Sequence, residues 1–267
     1  MRRFFTITRG NSPLIATAIH NGHCVRPELA HWLVIDDAAR RREEDPLTAR
    51  FTDVSDTRVV VHHSRFEVDV NRPRAQAVYL TPEQAWGLQV YRGLPRELVD
   101  ASLAEYDAFY AALHELCSER VHRCGGFVLF DLHSYNHLRN GPHGPPADPA
   151  RHPEINLGTA TMDRRHWAPL VNRFVSDLAR FPFRGRHLDV RENVVFYGGH
   201  LPAWVHRTFP GTGCALAIEI KKIFMNEWTG EPFPELIAQL QAALASTVCG
   251  VREELWKLTQ SRRESVA

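Results

Sequence analysis

The chain has 267 residues, 44% of them hydrophobic and 24% charged, enough apolar matter for a substantial core and too polar a composition for a bundle of membrane helices. Its 32 basic and 31 acidic residues leave a net charge of +1, which argues against a global electrostatic hold on nucleic acid or an anionic membrane and makes a small molecule the expected partner. Five scattered cysteines without a CxxC pair suggest neither a disulfide framework nor a thiolate zinc site, and MRRFFTITRGNSPL holds only a broken apolar run, so a cytoplasmic location is expected.

The apolar run Pro13 to Ile19 reads as a buried strand, closed by His20-Asn21-Gly22-His23, which places His20 at its carboxyl end. Next comes a basic run, Arg40-Arg41-Arg42, and then Glu43-Glu44-Asp45-Pro46, whose plainest reading is a solvated helix end with Asp45 as N-cap. Val59 to Val61, followed by His62-His63-Ser64-Arg65, repeats the strand-then-polar design. An extended segment from Ser64 to Pro73 would put Arg65, Asp69 and Asn71 on one face and Phe66, Val68 and Val70 in the core. Arg65 then suits either a bidentate grip on a carboxylate or an ion pair at a strand edge.

Thr81-Pro82-Glu83 carries a helix-opening signal, and Pro95 to Glu119 has helical apolar spacing through Leu98, Leu103, Tyr106, Phe109, Tyr110, Leu113 and Leu116. Phe127 to Phe130 is a third buried strand, followed by Asp131-Leu132-His133-Ser134. Asn136 to Gly158, rich in Pro, Gly, His and Asn, reads as a long polar loop at an active site. A helix over Asp163 to Phe181 precedes Gly198-Gly199-His200, which either brings backbone N–H groups to a ligand or merely turns the chain. Cys214 to Ile220 is a fourth strand with Glu219 inside it, a costly place for a carboxylate unless Lys221, Lys222, an arginine or a metal-bound water explains it. A last helix spans Pro234 to Leu258, where Gly250 is a candidate break.

Uninterrupted apolar strands alternating with helices predict one α/β domain over residues 1–267, with a central sheet covered by helices. Ligands in such sheets bind beyond the carboxyl ends of strands, where His20, His133 and Glu219 would lie. Two imidazoles and a carboxylate, with a coordination position left for water, suit a zinc ion and metal-assisted hydrolysis. His23 is a rival ligand, although HxxH normally needs a helix that Gly22 and Pro27 discourage.

The motifs PLIATAIHNG, Ser64-Arg-Phe-Glu-Val-Asp-Val-Asn-Arg-Pro73, Asp131-Leu-His-Ser134, Asn156-Leu-Gly-Thr159, Gly198-Gly-His200 and Ala217-Ile-Glu-Ile220 before Phe224-Met225 occur in one order from about Pro13 to Trp228. In that order they resemble the N-formylglutamate amidohydrolase family. The resemblance implies a central mixed sheet with helices on both faces, of the zinc carboxypeptidase (phosphorylase/hydrolase-like) type, and one divalent ion, zinc, held by His20, His133 and a carboxylate. Asp45 fits that carboxylate best, with Glu44 or His23 as substitutes. It further implies Glu219 as general base and Arg65, Asn71 and Arg72 as a clamp for the substrate carboxylate, with Gly199 and His200 on the substrate side. The expected reaction is hydrolysis of an N-acyl acidic amino acid, N-formyl-L-glutamate first. A carboxypeptidase-like peptidase, another N-acyl amino acid deacylase and a catalytically silent binder of acidic ligands are the competing readings. The segments Ala75 to Arg96 and Asn136 to Pro153 are longer than in the shorter enzymes of this kind, so the pocket is where this chain should differ.

Overall fold

Four apolar runs form the middle of one sheet. The structure, a computed structural model, describes residues 3–266, with side chains through residue 262; Met1, Arg2 and Ala267 of the expected domain lie outside the described residues. Strands β1 (Phe5–Thr8), β2 (Leu14–Ala18), β3 (Thr57–Val61), β4 (Phe127–Tyr135), β5 (Ile155–Gly158), β8 (Val190–Glu192) and β9 (Gly213–Lys221) build a seven-stranded sheet in the order β1-β3-β2-β4-β9-β5-β8. Between β5 and β8, β6 (Pro182–Phe183) and β7 (Arg186–His187) make a small separate hairpin. The pairs β2–β3, β2–β4, β4–β9 and β5–β8 are parallel, while β1 and β5 run antiparallel to β3 and β9, so the sheet is mixed.

The helices are α1 (Pro27–Ala30), α2 (Asp37–Glu43), α3 (Arg96–Cys124), α4 (Ala168–Arg180), α5 (His200–Thr208) and α6 (Pro234–Val266). They cover both faces, because alternate residues of each central strand enter different cores. Leu14, Ala16, Val128, Phe130 and Leu132 pack with Phe174, Leu178, Leu240 and Leu244 of α4 and α6. Ile15, Val59, Leu129 and Ala215 pack with Phe109, Leu113, Leu116, Leu201 and Val205 of α3 and α5. A strand buried on both sides has no polar positions to alternate with, which is why these runs read as continuous.

Several local expectations change. Ser64 to Pro73 is a series of turns rather than a strand, though Phe66, Val68 and Val70 are buried. Asp45 caps no helix: Asp36 caps α2 by accepting from Ala39 N, and Asp45 follows that helix's end. Glu44 and Asp45 are 1% and 4% exposed, so the acidic cluster is no solvated helix end. The signal at Thr81 is a genuine capping box with Gln84, but it opens only the 3-10 turn Pro82–Ala85. The polar stretch from Asn136 contains β5, whose residues are all buried. Gly250 does not interrupt α6; a Cβ there would lie 2.3 Å from Asp177 Oδ2 and 2.4 Å from Arg173 Nε, so the missing side chain is what lets α6 pass α4 closely. Among the described residues no helix is long and apolar enough to cross a membrane.

Helix α5 is tied to β9 through His206, whose Nε2 accepts from Ala215 N at 3.0 Å while its Nδ1 faces Thr161 Oγ1 at 3.0 Å. Burial lowers its pKa to about 4, so the fold favours the neutral ring. The folded state therefore binds fewer protons than the unfolded state: the contribution is complete above an unfolded pKa of about 6.5 and is lost as pH falls from there towards 4, about 2–3 kcal/mol. Denaturant unfolding at pH 7 and pH 4.5 should show a loss of stability that is smaller by this amount in His206→Gln; equal losses in the two proteins would refute the assignment.

Candidate metal centre

Parallel pairing of β4 with β9 sets His133 beside Glu219, and parallel pairing of β2 with β4 sets Thr17 beside Asp131. His20 follows β2, and Asp45 is drawn to it by a backbone hydrogen bond from Asp45 N to His20 O of 2.9 Å. His20, Asp45 and His133 thus meet, each at most 4% exposed, with one donor atom from each lying within 4.8 Å of the others.

Imidazoles and carboxylates alternate through the cluster. His20 donates Nε2–H to Asp69 Oδ1 at 2.8 Å and turns Nδ1 towards Asp45 Oδ2, 3.4 Å away. His133 makes an ion-pair contact of 3.0 Å from Nε2 to Asp131 Oδ2 and reaches Asp45 Oδ2 from Nδ1, also at 3.0 Å. Both rings therefore present Nδ1 to one carboxylate while a second carboxylate takes the outer nitrogen. Each outer acid is itself fixed: Asp131 Oδ1 accepts from Thr17 Oγ1 at 2.8 Å, and Asp69 Oδ2 accepts from Arg65 Nη2 at 2.7 Å and from Tyr79 Oη. Ser134 Oγ donates to Asp45 Oδ1 at 3.2 Å.

Burial works against ionised Asp45, but the hydrogen bond from His133 and the nearness of the His20 ring outweigh it and hold the carboxyl well below its ordinary range. Burial likewise opposes a charged His133, yet the nearby Asp131 carboxylate and the hydrogen bond to Asp45 draw the ring well above its usual value. Asp69 is ionised against its burial by Arg65 and His20. The space between the two Nδ1 atoms and Asp45 Oδ2 therefore favours positive charge, and His20 Nδ1 is buried there without a hydrogen-bond partner. This donor set fits a divalent ion: two inward imidazole nitrogens and one carboxylate, with outer carboxylates fixing both rings, are the elements of a three-ligand site.

Glu219 stands next to the cluster. Burial pushes its carboxyl up to about 8, with His133 and Arg65 pulling the other way and Asp45 and Asp131 adding to the rise. These groups form the floor of a cavity of about 950 Å³ whose walls include Arg42, Arg65, Arg72, Asn136, Arg139, Tyr197, Gly199, His200 and Lys222.

The expected clamp residues differ in what they have free. Arg65 spends Nε and Nη2 on Asp69, at 3.1 and 2.7 Å, and so stands behind His20. Asn71 accepts from Leu201 N at 3.0 Å through Oδ1 and from His200 N at 3.3 Å through its carbonyl, closing the amino end of α5. A Cβ on Gly199 would fall 2.3 Å from Asn71 Oδ1, so glycine is required for that approach. The backbone N–H of His200 is thus engaged by Asn71, while its ring packs 5.8 Å from Tyr110. Arg72 makes no ion pair among the described residues; its guanidinium lies 5.9 Å from the Tyr79 ring and 5.5 Å from that of Trp86. Of the substitute ligands, Glu44 turns away to Arg40 and Ser64, and His23 is exposed and outside the cluster.

Asp131, Asp69 and Thr17 were not apparent as supports from sequence patterns. Asp131 had a signal, since it precedes His133 by two residues on one strand and must share its face. Thr17 becomes apparent only with the strand register, and Asp69 only with the turns that replace the expected strand.

Comparison with known proteins identifies the fold and the family. A crystal structure of N-formylglutamate amidohydrolase from Ralstonia eutropha superposes with a TM-score of 0.74 at 20% identity, covering 96% of this chain and 99% of that one. A gene product of Agrobacterium tumefaciens superposes with a TM-score of 0.60 at 18% identity, covering 98% and 97% respectively. At these identities the likeness is one of fold. No curated protein sequence matches. The model of the family described as N-formylglutamate amidohydrolase matches residues 12–225, a span that holds His20, Asp45, His133, Glu219 and the whole lining of the cavity, and the chain belongs to that family.

Proposed function

We propose that the chain is a metal-dependent amidohydrolase of the zinc carboxypeptidase type that cleaves the amide bond of an N-acyl acidic amino acid, N-formyl-L-glutamate above all, to formate and glutamate. The observation that carries this reading is the meeting of His20 Nδ1, His133 Nδ1 and Asp45 Oδ2 beside Glu219 on the floor of a cavity walled by cations. His20, His133 and Asp45 would hold the ion, with Asp69 and Asp131 fixing the imidazoles. When bound, a divalent ion, zinc by its nitrogen and oxygen donors, supplies a Lewis acid for the amide carbonyl and lowers the pKa of a water molecule. Positive charge in the cluster favours ionised Glu219, which takes the proton of the attacking water and returns it to the departing amine. Its burial gives the carboxyl a high proton affinity, which suits that relay. Arg72, the arginine of the cavity with no acid partner among the described residues, is placed to receive the substrate carboxylate.

A second reading has support in size. A cavity of about 950 Å³ lies near the upper end of the range for drug-sized ligands and exceeds what a formyl group needs, so longer N-acyl groups or an acidic dipeptide are substrates to compare.

Removal of metal with a chelator should abolish hydrolysis of N-formyl-L-glutamate, and one equivalent of zinc per chain should restore it; full activity in chelator would refute metal dependence. Glu219→Gln should lower kcat by about 10²–10⁴-fold while zinc content stays at the wild-type level. A fall of less than tenfold would remove Glu219 from the proton relay. Arg72→Met should raise KM for the acidic substrate about 10–100-fold, the size expected for a lost charged hydrogen bond, and should affect the corresponding carboxamide much less; equal effects on both substrates would mean that Arg72 does not bind the carboxylate.

A further inference from the structure

Lys222 lies three residues after Glu219, just beyond β9, and is 1% exposed. It makes no ion pair with Glu219, one of the several explanations that the sequence left open for that carboxylate. Its Nζ donates to Arg42 O at 2.6 Å, to Glu44 O at 2.8 Å and to Asn136 Oδ1 at 2.9 Å. Among the described residues it has no carboxylate within ion-pair distance, so a buried ammonium is satisfied by neutral oxygens alone, an arrangement that costs solvation and calls for a compensating role. Arg42 and Glu44 belong to the carboxyl end of α2, where helix carbonyls lack internal partners and the helix dipole favours a cation.

The three contacts join the segments that carry the site. Arg42 and Glu44 flank Glu43 and lead directly into Asp45. Asn136 follows β4, which bears His133, and its Nδ2 donates to Glu43 Oε1 at 3.1 Å. Lys222 N bonds Tyr135 O at 3.0 Å, binding the end of β9 to the end of β4. All the donors of one ammonium are thus used to hold the α2–Asp45 segment against the strand ends that carry His133 and Glu219.

We propose that Lys222 is a positioning residue: its ammonium fixes the chain from Arg42 to Asp45 so that the Asp45 carboxylate meets His20 and His133. This rests on the reading of those three residues as metal ligands, and the test separates the two claims. Full-length protein stripped of metal is titrated with zinc against a chromogenic chelator, for wild type, Lys222→Met and Lys222→Arg, and each is also loaded with cobalt for its visible spectrum. Zinc affinity should fall about 10–100-fold in Lys222→Met and recover largely in Lys222→Arg, the size of effect seen when supports of metal ligands are removed. The cobalt spectrum of Lys222→Met should differ from wild type, and that of Lys222→Arg should not. Wild-type affinity and spectrum in Lys222→Met, even with a lower melting temperature of the metal-free protein, would show a merely structural role and overturn the proposal. No zinc binding by the wild type would overturn the ligand reading and this proposal with it. If Lys222→Met does not fold, Asn136→Ala, which removes one acceptor, should weaken zinc binding severalfold; unchanged affinity there counts against the proposal.

Discussion

The site depends on a buried row of alternating carboxylates and imidazoles, Asp69–His20–Asp45–His133–Asp131, whose members are all at most 4% exposed. Three carboxylates cannot be taken from water into a protein interior unless each is paired and hydrogen-bonded. Every neighbour described above meets that demand: Thr17 and Ser134 supply hydroxyl donors, Arg65 and Tyr79 supply a charge and a phenol, and the imidazoles face acids on both sides. The row also sets the direction of each ring. With both outer nitrogens drawn to Asp69 and Asp131, the two Nδ1 atoms have only Asp45 to face, so the placement of the outer acids determines what the inner space can hold.

The cations around the cavity divide their tasks in a way that residue type alone does not reveal. Arg65, Arg72 and Lys222 all line the same cavity, yet Arg65 is spent on an acid, Lys222 on carbonyls, and Arg72 lies near aromatic rings with no acid partner among the described residues. Trp86 and Leu88, from the stretch between Ala75 and Arg96, supply one wall of the cavity, and Tyr79 of the same stretch lies beside the Arg72 guanidinium. Trp86 holds a left-handed backbone with φ 55° and remains 53% exposed at that wall. Its ring packs against Tyr79 at 5.8 Å and beneath the Arg65 guanidinium at 4.9 Å, so the exposed residue is held in place at the cavity wall.

Much of the architecture was legible because both-face burial leaves a plain mark: the runs ending near His20 and His133 and the run around Glu219 are central strands, and the helices over Pro95 to Glu119, Asp163 to Phe181 and Pro234 to Leu258 were recognisable from apolar spacing. The short strands β5 and β8 were not, since they have four and three residues and too little pattern to distinguish them from loop. In the site, His20, His133 and Glu219 could be inferred from strand ends, whereas Asp45 needed the family pattern, because no periodicity links a turn after α2 to β2. The roles of Asp69 and Lys222 depend on side chains reaching across turns, and nothing in spacing encodes that reach.

The strand that carries Glu219 is the last to be added and yet occupies the middle of the sheet, pairing with β4 over nine residues and with β5 on its other side. Until it inserts, β4 and β5 have no common neighbour, and the two halves of the sheet are separate. Contacts of such long sequence separation close late and slowly. During synthesis, His20, Asp45 and His133 are therefore all made long before the framework that orients them can be completed. A ribosome-bound chain ending short of residue 213 lacks the centre of its own sheet, so the site cannot be completed before β9 has been made.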